Sequence, residues 1–195
     1  MALWGTSDAD ESKPKNLTTA EKKEVFANNS GWVREAGSIW SGNDNADADP
    51  EVLVAVSGLA DSIGAADVTE VEWITSTADK SAGFTLSVRV RWNEAVTVTG
   101  NPTLAVTNGN QGSGSGRGPH TLVYASGTGT NELVFSLAIA AANAATNAND
   151  VLSIGAQTIA LAGGTIKDTA DGTTVSARAI SGTQGTAAGT VTVVA

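Results

Sequence analysis

Phe84-Thr85-Leu86-Ser87-Val88-Arg89-Val90-Arg91-Trp92 sets an apolar residue at every second position, with polar residues between. A period of two belongs to a pleated strand with one face buried and the other in water. Outward from it the pattern repeats in short runs: Ala95–Thr99, Thr103–Thr107, Thr121–Ala125, Glu132–Ile139, Val151–Ile154, Thr158–Leu161, Thr165–Lys167 and Val191–Val194. Turn signals separate them, including Gly100-Asn101-Pro102 and Ser126–Thr130. Seven or more short strands in little more than a hundred residues predict a β-sandwich. Composition agrees. Val (19) outnumbers Leu (11) and Thr is used 24 times, a bias that suits pleated surfaces.

Upstream the character of the chain changes. Residues 1–75 carry 14 acidic and 5 basic groups, whereas residues 76–195 carry 6 of each, so the first segment holds the whole net charge of −9. It also holds four of the five Trp residues: Trp4, Trp32, Trp40 and Trp73. Two units are therefore expected: an N-terminal arm and β-rich docking domain over 1–75, then a sandwich with a C-terminal strand over 76–195. In the first unit, residues 1–17 read as an extended arm. Thr18 and Glu21 form a capping box that opens a helix through about Ala27. Gly31–Arg34, Val52–Val56 and Val68–Ile74 read as strands. Some 60 ordered residues make only a marginal core, so this unit is expected to draw stability from a partner.

Several chemistries are disfavoured at once. The absence of Cys removes disulfides, thiolate zinc sites and thiol nucleophiles, and a single His argues against a catalytic triad. The acidic balance opposes binding to nucleic-acid phosphates. No apolar run approaches the roughly 20 residues of a membrane span, and the first residues lack the apolar core of a signal peptide.

The remaining candidates read as structural. Asp44, Asp47 and Asp49 alternate with Asn43 and Asn45 and could offer oxygens to Ca²⁺, but Pro50 follows and no EF-hand glycine spacing fits. A solvated acidic loop is the favoured reading, with no metal assigned. Asp168 and Asp171 flank a turn and are expected to shape it through Asx hydrogen bonds. Glu94 lies at a strand end without an evident partner acid for general-base work. His120 is read as a surface or strand-edge residue. The stretch Gln111–Gly118 lacks the GK[ST] ending of a phosphate loop and reads as a mobile loop. No cofactor and no enzymatic activity are expected.

Phe84–Val90, Asn93–Val106, Tyr124–Thr130, Leu133–Phe135 and Gly163–Asp168, in that order and spacing, resemble a bacterial immunoglobulin-like repeat of surface adhesins and phage virion proteins. Met1–Gly5, Lys13-Pro14-Lys15, Gly31-Trp32-Val33 and Glu51–Val56 are similar to the start of small virion structural proteins of tailed, cyanophage-like phages. The resemblance implies a mainly β, non-enzymatic structural protein, namely a capsid decoration (cement) protein that displays an immunoglobulin-like domain. It would be assembled in the host cytoplasm and located on the capsid exterior of the bacteriophage. Leu3, Trp4, Trp32 and Trp40 are the expected capsid-docking residues. The expected partners are the major capsid protein or other virion proteins, with a second copy of the chain and host surface glycans as further candidates; neither nucleic acid nor membrane is among them. A neck, tail or fibre component and a glycan-binding adhesin module are the alternatives.

Overall fold

A computed structural model of the chain describes residues 13–109, 119–141, 146–170, 172–173 and 176–195. The chain is mainly β. Its centre is the long strand β6 (Phe84–Thr99), which contains the deciding stretch: Leu86, Val88, Val90 and Trp92 are fully buried while the residues between them are not. The partners of β6 follow from its two faces and its length. The remaining strands are β1 (Val25–Asn28), β2 (Gly31–Arg34), β3 (Glu51–Ala55), β4 (Val68–Trp73), β5 (Ala78–Asp79), β7 (Thr103–Gly109), β8 (His120–Ser126), β9 (Thr130–Ile139), β10 (Val151–Ser153), β11 (Gln157–Thr158), β12 (Thr165–Asp168), β13 (Ala179–Ile180) and β14 (Thr190–Val194).

Among the described residues, twelve strands form one continuous mixed sheet, in the order β3-β2-β1-β6-β9-β8-β7-β10-β14-β5, with β4 and β12 also paired to β6. Strand β9 runs antiparallel along β6 from Phe84↔Ile139 to Arg91↔Glu132. On the other side, β4 pairs with the first half of β6 and β12 with its last four residues. The large core lies on the inward face of these strands, with Leu104, Leu122, Leu133, Phe135, Leu152 and Ile166 beside the β6 residues.

Ala95–Thr99, expected as a separate strand, continues β6. The polar pair Asn93-Glu94 interrupts the alternation, but it marks a bulge and not an end. Asn93 exchanges hydrogen bonds with Asp67: its backbone N–H donates to Asp67 O at 3.0 Å, and its Oδ1 accepts from Asp67 N at 2.6 Å. The expected strand Thr158–Leu161 is reduced to β11 and a single bridge from Ala160 to Thr103. Strand β4, expected in the N-terminal unit, belongs to the large core through Val71, with Val68 and Trp73 packed against that core. The apolar packing changes from one core to the other between Ile63 and Ala66.

The helix opened by Thr18 is α1 (Thr19–Lys23), and both halves of its capping box are present. It stops well short of Ala27. Val25–Asn28 instead forms β1, antiparallel to β2, because Val25, Phe26 and Ala27 are buried in that arrangement and a helix would spread them around its circumference. Gly31 has φ +133°, and a Cβ there would stand 2.0 Å from Val54 O, so only glycine permits the close approach of β3. Strands β1 and β2 enclose a second, smaller core of Val25, Ala27, Trp32 and Leu59.

The segment Gly182–Gly189, glycine-rich and assigned no element from sequence, contains α2 (Gly182–Ala188). Ser181 and Gln184 close a capping box, and Gln184 Nε2 donates to Val68 O at 2.8 Å, which ties the helix to β4. Among the described residues no helix is long and apolar enough to cross a membrane.

Candidate functional site

Of the four residues expected to dock, Trp32 and Trp40 are among the described residues, and they differ in exposure. Leu3 and Trp4 lie outside the described residues, as do Asp171 and the 111–118 loop. Trp32 is 0% exposed at the centre of the smaller core and cannot meet a partner, which corrects the expectation for it. It was misplaced because a Trp serves a core and an interface equally well and composition cannot separate the two. Trp40, in contrast, is 47% exposed, and its neighbour Ile39 is 82% exposed.

These two side chains stand on a loop held at its neck and base. Gly37 N donates to Asn43 O at 2.6 Å and Ser41 N to Ser38 O at 3.1 Å. The buried Arg34 of β2 donates from Nη1 to Trp40 O at 2.6 Å, and Trp40 N donates to Glu24 Oε2 at 3.4 Å. A buried guanidinium that anchors the backbone of an exposed tryptophan keeps the tip in place while its side chains remain in water. Adjacent exposed Ile and Trp form an apolar patch of the sort that marks contact surfaces.

Beneath this loop a groove of ≈ 470 Å³ separates residues 35–39 from the outer face of β4, β6 and β9. Its floor is a cross-strand charge ladder. Arg91 reaches Glu70 Oε2 at 2.8 Å, Glu72 Oε1 at 3.2 Å and Glu132 Oε1 at 2.6 Å. Arg89 reaches Glu72 at 2.9 Å and Glu132 Oε2 at 3.2 Å. The register explains the ladder, since Glu70 lies opposite Arg91, Glu72 opposite Arg89, and Arg91 opposite Glu132. Burial works against the charge of Arg91, but the Glu132, Glu72 and Glu70 carboxylates outweigh it and raise its pKa above the ordinary value. On the facing wall, burial, assisted by the charge of Glu132, raises the pKa of the Glu35 carboxyl.

The other sequence candidates are placed as follows. Asp44, Asp47 and Asp49 are exposed, and Asn43 and Asn45 use their Oδ1 atoms to accept from the backbone N–H of Asn45 (3.0 Å) and Asp47 (3.2 Å). Those Asx turns shape the loop and occupy two of the oxygens a cation would need. No group of three or more His, Cys, Asp or Glu placed to hold a metal occurs among the described residues. Asp168 is buried and accepts from Ala170 N at 2.7 Å, the Asx turn expected of it. Glu94 is buried and, with Asp168, lines a small cleft of ≈ 170 Å³ against Ala27, Asn28 and Ala60.

His120 is not a surface residue. It is buried at the start of β8, with Nε2 3.1 Å from Thr146 Oγ1 and 3.5 Å from the Asn108 amide nitrogen. Asn108 in turn donates to Asp150 Oδ2 at 3.0 Å. Burial lowers the His120 pKa from 6.5, with the Asp150 charge opposing. The unfolded chain therefore binds the proton more readily, and stability present above pH 6.5 is lost as pH falls toward the depressed folded value. Denaturant midpoints measured from about pH 7.5 to 5 are expected to fall more steeply for the wild type than for His120→Gln. Parallel curves would show that the ring does not titrate in this way.

Compared with protein-family models, curated proteins and solved structures, the chain finds no match.

Proposed function

We propose that the protein is a non-enzymatic structural component of a virion, a decoration protein that docks on the capsid through the Ile39–Trp40 tip and displays its large β body outward as an immunoglobulin-like module. The exposed Ile39–Trp40 pair, fixed from below by Arg34, is the observation that carries this reading. An apolar pair at the end of a braced loop contributes nothing to the cores and gains stability only when a partner covers it. Its position in the acidic segment supports a partner of opposite charge, since the first 75 residues bring the net of −9 to the same side of the sequence. The virion as the setting, the capsid exterior as the location and the major capsid protein as the partner rest on the sequence resemblance.

The test is co-sedimentation of the full chain with capsid shells. Ile39→Ser combined with Trp40→Ala is expected to weaken attachment by at least about 2 kcal/mol, the loss typical of a hot spot. The thermal midpoint should move little, because Ile39 is 82% and Trp40 47% exposed and neither belongs to either core. Wild-type attachment by the double variant would remove the tip from the interface. No attachment by the wild type would count against the capsid as partner.

A further inference from the structure

Asn108, His120, Thr146 and Asp150 form a buried polar cluster, each 5% exposed or less, where β7, β8 and the turn before β10 meet. Its hydrogen bonds follow from one another. The Asp150 carboxylate only accepts, and its Oδ2 takes the Asn147 backbone N–H at 2.8 Å and Asn108 Nδ2 at 3.0 Å. The second bond fixes which end of the Asn108 amide is the nitrogen. That nitrogen lies 3.5 Å from His120 Nε2, and the Thr146 hydroxyl lies 3.1 Å from the same ring atom. An amide nitrogen only donates, so Nε2 is the accepting nitrogen and the ring is neutral. The ring and the carboxylate thus meet through the Asn108 amide. Strands β7, β8, β10 and β14 supply no other acidic or basic side chain. Lys80 is occupied at Asn147 Oδ1, and Asp79 accepts from Ser81 in its own turn.

A proton on Nε2 is incompatible with this arrangement, because it sets a ring N–H against the amide N–H₂. Turning the amide over would offer Oδ1 to the ring but withdraw the donor from Asp150 and leave two oxygens face to face. What depends on that bond is the turn over residues 146–150. Asn149 holds φ +68° there, a left-handed conformation that its surroundings must maintain. Asn149 N donates to Val193 O at 2.7 Å, and Val193 N donates to Asp150 O at 2.9 Å, so the turn also grips β14. We infer that the cluster is an acid-operated latch: protonation of His120 releases the 146–150 turn and the Val193 end of β14, while the rest of the sheet stays paired. Burial, opposed by the Asp150 charge, holds the His120 pKa below 6.5, so the latch is closed at neutral pH and opens as pH falls. The inference is independent of the docking reading.

The test follows the full chain by nuclear magnetic resonance from about pH 7.5 to about pH 4.5, reading the His120 ring and amide exchange corrected for its intrinsic pH dependence. The amides of Asn149 and Val193 are expected to lose protection by up to about thirtyfold at about pH 5. That limit applies when the closed ring stays neutral and the released ring titrates at its ordinary 6.5. Val88 and Val90 in β6 should keep their protection. His120→Gln retains an acceptor for Thr146 and Asn108 but does not titrate, so it should flatten the pH response at Asn149 and Val193. The wild type provides a second reading that needs no variant, since the ring and the two amides should change with one midpoint. Unchanged protection at Asn149 and Val193, or a ring whose titration does not coincide with the loss, would overturn the latch. A loss that persists in His120→Gln would assign the acid response to another group, and an equal loss in β6 would make it global unfolding; either result also overturns the inference.

Discussion

Trp32→Ala is expected to cost about 3–5 kcal/mol, the range for emptying a buried aromatic site. Trp32 is the largest side chain in a core whose other buried members are Val25, Ala27 and Leu59, with Leu17, Leu53 and Ile63 packed at its edge. So few neighbours cannot close the cavity, and the loss should therefore be local. Amide exchange would show residues 25–34 and 51–63 losing protection, while 84–92 and 133–139 in the large core keep theirs. The indole Nε1 makes no hydrogen bond, so Trp32→Phe, which retains most of the apolar volume, should be much milder. Uniform loss of protection across both cores would mean that they unfold as one unit.

Arg91→Met is the second large effect, for electrostatic reasons. The Arg91 side chain is 11% exposed and answers Glu70, Glu72 and Glu132 together, and Lys23 Nζ also pairs with Glu70. Removing one partner from a largely buried ion cluster leaves carboxylates without compensation and typically costs about 3–5 kcal/mol. Arg89 sits at the more solvated end, one third exposed, and Arg89→Met should cost only about 1 kcal/mol. Arg91→Lys should fall between them, because a single ammonium cannot present the fork of donors that reaches three carboxylates. Chemical denaturation of the three variants reads this order. Equal losses for Arg89→Met and Arg91→Met would show that burial does not set the strength of the ladder.

The groove and the tip were not legible before folding, although every residue in them was visible. Glu35 and Trp40 come from the segment after β2 and Arg89, Asn131 and Glu132 from β6 and β9, and only the crossing of residues 35–39 over β6 and β9 joins them. The outward positions of Arg89 and Arg91 were evident from the period of two. Their carboxylate partners depend on register, which a single strand does not declare. The capping box Ser181–Gln184 is one signal that could have revealed α2, but glycines, which weaken a helix, surround it. One of them, Gly185, is required for packing, since a Cβ would stand 2.2 Å from Ile154 O.

Local pattern alone determined the mainly β character, the strand over Phe84–Trp92 with its buried and solvated faces, the start of α1 and the Asx turn at Asp168. Each of these is decided by interactions within a few residues: alternation along a strand, a hydroxyl reaching the third backbone N–H, a carboxylate bonding two residues ahead. Only the tertiary structure decided which tryptophan is core and which is surface, that Val25–Asn28 is a strand, that β4 serves the large core, and that His120 is buried. Those outcomes depend on which distant surface arrives to cover an apolar or polar group. Trp32 and Trp40 stand eight places apart in the same segment, and one is enclosed while the other is open because Leu59 and its neighbours fold back over the first alone.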